Sequence, residues 1–171
     1  MPRKTKKARK TVPRRYVPTK LSKRDKRVQR EMLKKSRGDY KKGKYFTRKK
    51  VKSFKSKPSS HVENAKKIYN VDFVKPNRDL ANKTLCSLNS LKQIVKKGEG
   101  AYFSSGSRPN QTAKSWGYAR LASSITGGKA AAIDYNILEK GCDAKSDALR
   151  LAKKSRKKHG YGKRKTPQVK L

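Results

Sequence analysis

The run SSGSRPNQTAKSWGYARLASSITGG, residues 104–128, decides how the chain is read. Its first eight residues are polar or turn-forming and carry no regular apolar pattern. Thr112 is then a residue type that caps helices, and Trp116, Ala119, Ala122 and Ile125 recur at helical spacing behind it until Gly127 and Gly128. This pattern predicts a helix over 112–125, with one apolar face and a glycine stop. On its C-terminal side, a second helix is expected over 129–140 with Gly141 as its end. A third begins at Ser146 and runs through Ala148, Leu149 and Ala152 into a basic tail.

On the N-terminal side, Ser60 and Glu63 have the spacing of a capping box, and Val62, Ala65 and Ile68 continue it as a helix over 61–69. Residues 71–74 are β-branched or aromatic apart from Asp72, and Pro76 follows. They read as a short strand or an extended connector. Two short helices are expected over 78–83 and 87–97, the second closed by Gly98, and residues 101–103 read as another short extended piece. The expected fold is therefore mainly α: a small helical core with one or two short strands. No internal repeat is visible.

Charge divides the chain further. Its 171 residues carry 50 Lys and Arg against 11 Asp and Glu, a net charge of +39. Residues 1–60 hold 26 of the basic and 3 of the acidic residues, whereas residues 61–150 hold 15 and 8 with 36 apolar residues, enough for one small core. The expected organisation is a basic N-terminal arm over 1–57, a helical core over 58–150 and a basic tail over 151–171. Helical signals in the arm are confined to 21–37, where Ser22 and Asp25 resemble a capping box and Gly38 could end the helix. Leu21, Val28, Met32 and Leu33 make a thin stripe, so the arm is expected to be extended or disordered, or helical only when phosphates neutralise it. Tyr16, Tyr40, Tyr45, Phe46 and Phe54 lie among its lysines, an arrangement suited to a nucleic-acid backbone with occasional base stacking.

Several classes are excluded at this level. No apolar run approaches the roughly 18 residues of a membrane span, and the basic N-terminus lacks the apolar stretch of a secretory signal. Cys86 and Cys142, far apart, suggest no disulfide framework and read as small buried hydrophobes in a reducing compartment. The spacing of His61, Cys86, Cys142 and His159 does not suit zinc, and Gly98-Glu99-Gly100 lacks the features of a phosphate loop. Neither histidine has a neighbour that suggests a nucleophilic triad, and the acids are scattered, so no catalytic residue, metal or cofactor is expected.

Two constellations could bind anions. Residues 80–94 have the spacing of a helix-turn-helix, with Leu85 where such turns favour Gly, and equally that of an ordinary helical hairpin. In the first reading Leu88, Asn89, Lys92, Gln93 and Lys96 face outward, and Asn89, Lys92 and Gln93 could approach phosphates or base edges. The loop before the Thr112 helix gathers Ser105, Ser107, Arg108, Asn110 and Thr112, with Lys114 and Arg120 beyond, and there is no carboxylate between Glu99 and Asp134. Serines and amides ahead of exposed helix N–H groups make a phosphate site, although the same residues also serve as turn and cap.

KKGKYFTRKKVKSFKSKPSSHVENAKKIY and KKGEGAYFSSGSRPNQTAKSWGYARLASSITGGKAAAIDYNILEKGC, above all Gly106-x-Arg-Pro followed by Ser115-Trp116-Gly117-Tyr118-Ala119-Arg120, resemble an uncharacterised domain of large double-stranded DNA viruses of eukaryotes, with looser relatives in tailed phages. The resemblance covers about residues 42–142. It implies a protein of the virion or viral factory but no settled activity. Charge leads to a compatible expectation: +39 could offset about 65 Å of duplex, on the order of 20 base pairs. The expected function is thus non-enzymatic binding and neutralisation of packaged nucleic acid, duplex DNA first and RNA second, without membrane or small-molecule partners. Alternatives are a minor capsid protein in contact with other virion proteins and the genome, a ribosomal-type RNA-binding protein, or an enzyme acting on nucleic acid through Arg108 and Arg120.

Overall fold

The computed structural model describes residues 11–162 and 166–171. The elements run β1 (Thr11–Pro13), a 3-10 turn (Arg14–Tyr16), α1 (Lys23–Lys41), α2 (Ser60–Tyr69), α3 (Arg78–Thr84), α4 (Leu88–Ser104), α5 (Ala113–Ile125), α6 (Lys129–Ile133), α7 (Tyr135–Gly141), α8 (Asp147–His159) and β2 (Gln168–Lys170). The protein is mainly helical with two short strands, as its periodicity suggests.

Short polar side chains start most of the longer helices. Ser22, Asn77, Ser87, Thr112 and Ser146 each accept a hydrogen bond from the backbone N–H three residues on, filling one of the donors a helix start leaves open. At α5, Ser115 reciprocates by accepting from the Thr112 N–H, at 2.9 Å. α2, like α6 and α7, has no side-chain cap: it begins one residue earlier than expected, after Ser59, and the Ser60–Glu63 box does not form.

α4 and α5 are the centre of the first hydrophobic cluster. Gly98 and Gly117 mark their crossing: a Cβ on Gly98 would lie 2.6 Å from the Gly117 Cα, and one on Gly117 would lie 2.8 Å from the Val95 carbonyl oxygen. Leu91, Ile94, Leu121 and Ile125 are fully buried there, and α2, α3, α6, α7 and α8 contribute Ala65, Leu80, Ala131, Leu138 and Ala148. Gly98 is thus a contact point inside α4, not its end. Residues 101–103, expected to be extended, continue the helix and bury Tyr102 completely. The single helix expected over 129–140 is divided at Asp134, whose carboxylate is held by neighbouring elements. Residues 71–74 are an extended connector outside any strand, with Val71 and Val74 turned into the core.

A second cluster changes the expected domain plan. Val12, Tyr16, Val17, Leu21, Met32, Leu33 and Val51 are buried together, and Trp116 of α5, Val169 and Leu171 pack against them. Residues 11–57 therefore contain a folded layer that meets the core through Trp116; residues 1–10 of the expected arm lie outside the described residues. The thin apolar stripe suffices because polar positions complete it. Gln29, buried on α1, donates to the Tyr16 carbonyl at 3.1 Å, and Ser36 donates to the Phe103 carbonyl at 3.1 Å. α1 runs through Gly38 to Lys41. The expected tail is also largely structured: α8 continues to His159, and β2 pairs antiparallel with β1, Val12 opposite Val169.

The cysteines are likewise paired, not free. Ser87 N–H donates to the Gly141 carbonyl and Asp143 N–H to the Leu85 carbonyl, which brings the α3–α4 turn beside the end of α7. Cys86 and Cys142 face each other across this bridge and form a disulfide spanning 56 residues.

Candidate nucleic-acid interface

The two sequence constellations fare differently. In the turn after α3, Leu85 adopts the left-handed region, φ 53°, a conformation open to a helix-turn-helix and to an ordinary helical hairpin alike. α4 then presents Asn89, Lys92, Gln93 and Lys96 on its outer side, while Ser90, Leu91, Ile94 and Val95 turn inward. Asn89 and Gln93 also line a groove of about 350 Å³ with Asn136 and Lys140 of α7.

The 104–112 loop is different, because most of its polar groups are consumed within the fold. Ser107 is buried, accepts from an Arg48 Nη at 2.8 Å and donates to the Arg108 carbonyl. Asn110 clamps the preceding segment, accepting from the Val51 N–H at 2.7 Å and donating to the Val51 and Phe54 carbonyls. Thr112 caps α5, and the Ser105 carbonyl accepts from Arg37. Gly106, at φ 119°, lets the loop lie against α1: a Cβ would meet Leu33 Cδ2 at 2.7 Å. Arg108 alone of the loop's polar residues combines exposure with a positive charge. The loop is consequently a structural clasp, and its expected role as a phosphate cradle is not supported by its bonding.

Lys114 and Arg120 are also engaged. Lys114 pairs with Glu99 at 3.0 Å, and this partner raises its pKa. Arg120 grips Asp134 with two bonds of 2.9 and 2.8 Å, while Lys97 and Ser124 complete the carboxylate's surroundings. Burial would raise the Asp134 pKa, but the hydrogen bonds and charges of Arg120 and Lys97 prevail and hold it below 3.8. The eleven candidate residues therefore do not converge. Asn89 and Ser105 alone are separated by about 24 Å of helix.

The denser basic surface lies on the second cluster. Residues 11–57 carry 20 Lys and Arg and 3 acids. With one helix face buried, Lys23, Arg24, Arg27, Lys34, Lys35 and Lys41 remain exposed along α1. Asp25 accepts from Ser53 N–H and Oγ, while Glu31 and Asp39 pair with Arg27 and Lys35. Lys49, Lys50, Lys52, Lys55 and Lys57 are exposed along the following segment; Lys153, Lys154, Lys157 and Lys158 are also exposed, on α8, which packs in the first cluster.

Arg48 holds this layer to the core, a role that sequence reasoning missed. Its guanidinium is buried, donates to Ser36 Oγ, the Tyr102 carbonyl and Ser107 Oγ at 2.8–2.9 Å, and lies 3.8 Å from the Tyr102 ring centroid. All three acceptors are neutral. Burial pulls its pKa below the ordinary arginine value. A signal was available: one arginine in a lysine-rich stretch, where Arg better suits multidentate bonding and ring stacking.

Among the described residues, no group of three or more His, Cys, Asp or Glu side chains is placed to hold a metal, and no helix is long and apolar enough to cross a membrane. No curated protein and no solved structure matches the chain. A family of unknown function, DUF5824, matches residues 13–149, a span that takes in α1, Arg48 and the Ser107–Asn110 clasp as well as the α4–α5 core. The chain belongs to the DUF5824 family.

Proposed function

We propose that this protein is a non-enzymatic nucleic-acid-binding protein that grips phosphate backbones with the basic layer of its second cluster. The observation that carries the reading is the excess of 20 basic over 3 acidic residues in 11–57, arranged on a folded support. Cations presented on a fixed helix face bind a polyanion without first ordering the chain, so less conformational entropy is lost on binding. Backbone contacts carry no direct sequence information, so the preference is for charge density, with duplex DNA the first ligand and RNA the second. Asn89, Lys92, Gln93 and Lys96 offer a separate, weaker contact on α4.

The resemblance to viral domains leads us to place the protein in a virion or viral factory, where it would neutralise packaged genome. The Cys86–Cys142 disulfide favours the particle, since disulfides persist on virions and are rare where thiols are kept reduced. The same observation supports a second reading, a minor capsid component that contacts shell and genome together.

Equilibrium binding of the full chain to duplex DNA across a salt series tests the reading. The affinity should fall steeply with salt, and replacing Arg24, Arg27, Lys34 and Lys35 by Gln should flatten the logarithmic slope by about 0.9 for each phosphate that is no longer neutralised. A flat salt dependence, or a slope unchanged by the four substitutions, would remove the basis for the proposal.

A further inference from the structure

Among the aromatic residues scattered through residues 11–57, the fold separates two kinds. Tyr16 is buried, and Phe46 and Phe54 pack partly buried against the second cluster. Tyr40 and Tyr45 remain on the surface, 39% and 71% exposed. They are brought together by the end of α1. Gly43, at φ 73°, turns the chain so that Gly43 N–H reaches the Tyr40 carbonyl and Lys44 N–H the Asp39 carbonyl. The Tyr45 ring then stands edge-on to Tyr40, with centroids 6.2 Å apart, and to Phe103 of α4, at 5.0 Å.

Phe103 in turn meets Tyr102 at 5.0 Å, and Tyr102 carries the Arg48 guanidinium. Tyr45 is thus the outer member of an aromatic series rooted in the core, with most of its ring surface open to solvent. Lys41, Lys42 and Lys44, all exposed, lie in the turn between the two tyrosines.

We propose that Tyr45, supported by Tyr40 and Phe103, is a stacking platform for an unpaired nucleobase, with the three turn lysines contacting the adjoining phosphates. This deepens the nucleic-acid reading above and rests on it: it adds single strands, frayed ends or gaps to the duplex that the basic layer takes. The chemistry is complementary on both counts. A base has an apolar π-face for an anchored ring, and its strand brings the anionic charge that the turn lacks. A paired base within a duplex exposes no such face.

The test uses the full chain and a single-stranded oligonucleotide of about 16 nucleotides containing 2-aminopurine, beside its duplex form. Tyr45→Ala should weaken single-strand binding roughly five- to a hundredfold, the range expected for the loss of one base stack. Duplex binding should change by less than about twofold, and Tyr45→Trp should restore the single-strand affinity and the 2-aminopurine quenching. Because Tyr45 is exposed, the Ala variant should melt with the parent protein, which checks its fold. Unchanged single-strand affinity, or equal losses on both probes, would overturn the platform while leaving the basic layer intact. If the parent chain bound neither probe, the nucleic-acid reading itself would fail and the platform with it.

Discussion

Two arginines show how differently the two clusters are held. In the first, Arg120 meets a carboxylate: Asp134 is fully enclosed and neutralised by Arg120 and Lys97 amid helices whose packing is mostly apolar. In the second, Arg48 is bound by two hydroxyls and a carbonyl, and the layer it anchors keeps its positive charge. The apolar content of that layer is small, so directed polar bonds take over part of the work: Gln29 to Tyr16, Asn110 to Val51 and Phe54, and Asp25 to Ser53. A cationic region can be folded by neutral acceptors, whereas matching each cation with an acid would erase the charge on which the proposed polyanion binding rests.

Asp134→Ala offers the harshest test of the first cluster. It leaves the largely enclosed Arg120 without its partner and should cost about 3–5 kcal/mol, read by urea denaturation. The same carboxylate has a pH signature. Its folded pKa is depressed, so its stabilisation is complete above the unfolded value near 3.8 and is lost as pH falls through the lower folded value. Acid unfolding monitored by circular dichroism should therefore have a component below pH 3.8 that Asp134→Ala removes. A variant with the parent's acid profile would show that the Arg120 pair is not what holds the α6–α7 break.

Next in size is the disulfide, which also lies wholly in the first cluster. Reduction, or replacing both cysteines by serine, should lower stability by about 2–4 kcal/mol, because closing a long loop restricts the unfolded chain. Protection of α4 and α5 amides from hydrogen exchange should fall with it; a loss limited to α1 would contradict the placement.

Arg48→Met should cost about 2–3 kcal/mol, since it strands buried acceptors that Met cannot satisfy. Its effect should be regional: exchange should accelerate first in α1 and the 42–57 segment, with α4 and α5 largely protected. Arg48→Lys should not rescue it, because an ammonium lacks the planar fork that reaches three acceptors. Equal acceleration throughout would mean that the two clusters unfold as one unit. The smallest expected effect is that of salt. Raising ionic strength should stabilise the α1 layer against its own repulsion and leave the first cluster nearly unchanged, visible as a narrowing gap in exchange protection.

Much of the first cluster is legible in the sequence. Thr112 and Ser146 start helices where their side chains indicate, and α3 and α4 begin where two consecutive helices are expected. Gly98 is not legible in this way: it reads as a stop because a glycine's local meaning is a break, while its use at the crossing depends on Gly117 opposite. The candidate site was less legible. Ser107 and Asn110 look like free anion ligands until Arg48 and the 51–54 backbone arrive from some 50 to 60 residues away.

By itself the sequence determined what depends on neighbours along the chain: helical class, the main caps, the charge excess and where it is densest. Only the tertiary structure decided that residues 11–57 fold, that Cys86 meets Cys142, that Arg108 stays exposed while Ser107 and Arg120 are engaged, and that Tyr45 stands out while Tyr16 is buried. The physical reason is that caps and periodicity act over three or four residues, whereas burial and hydrogen-bond satisfaction are settled by partners brought together from distant segments.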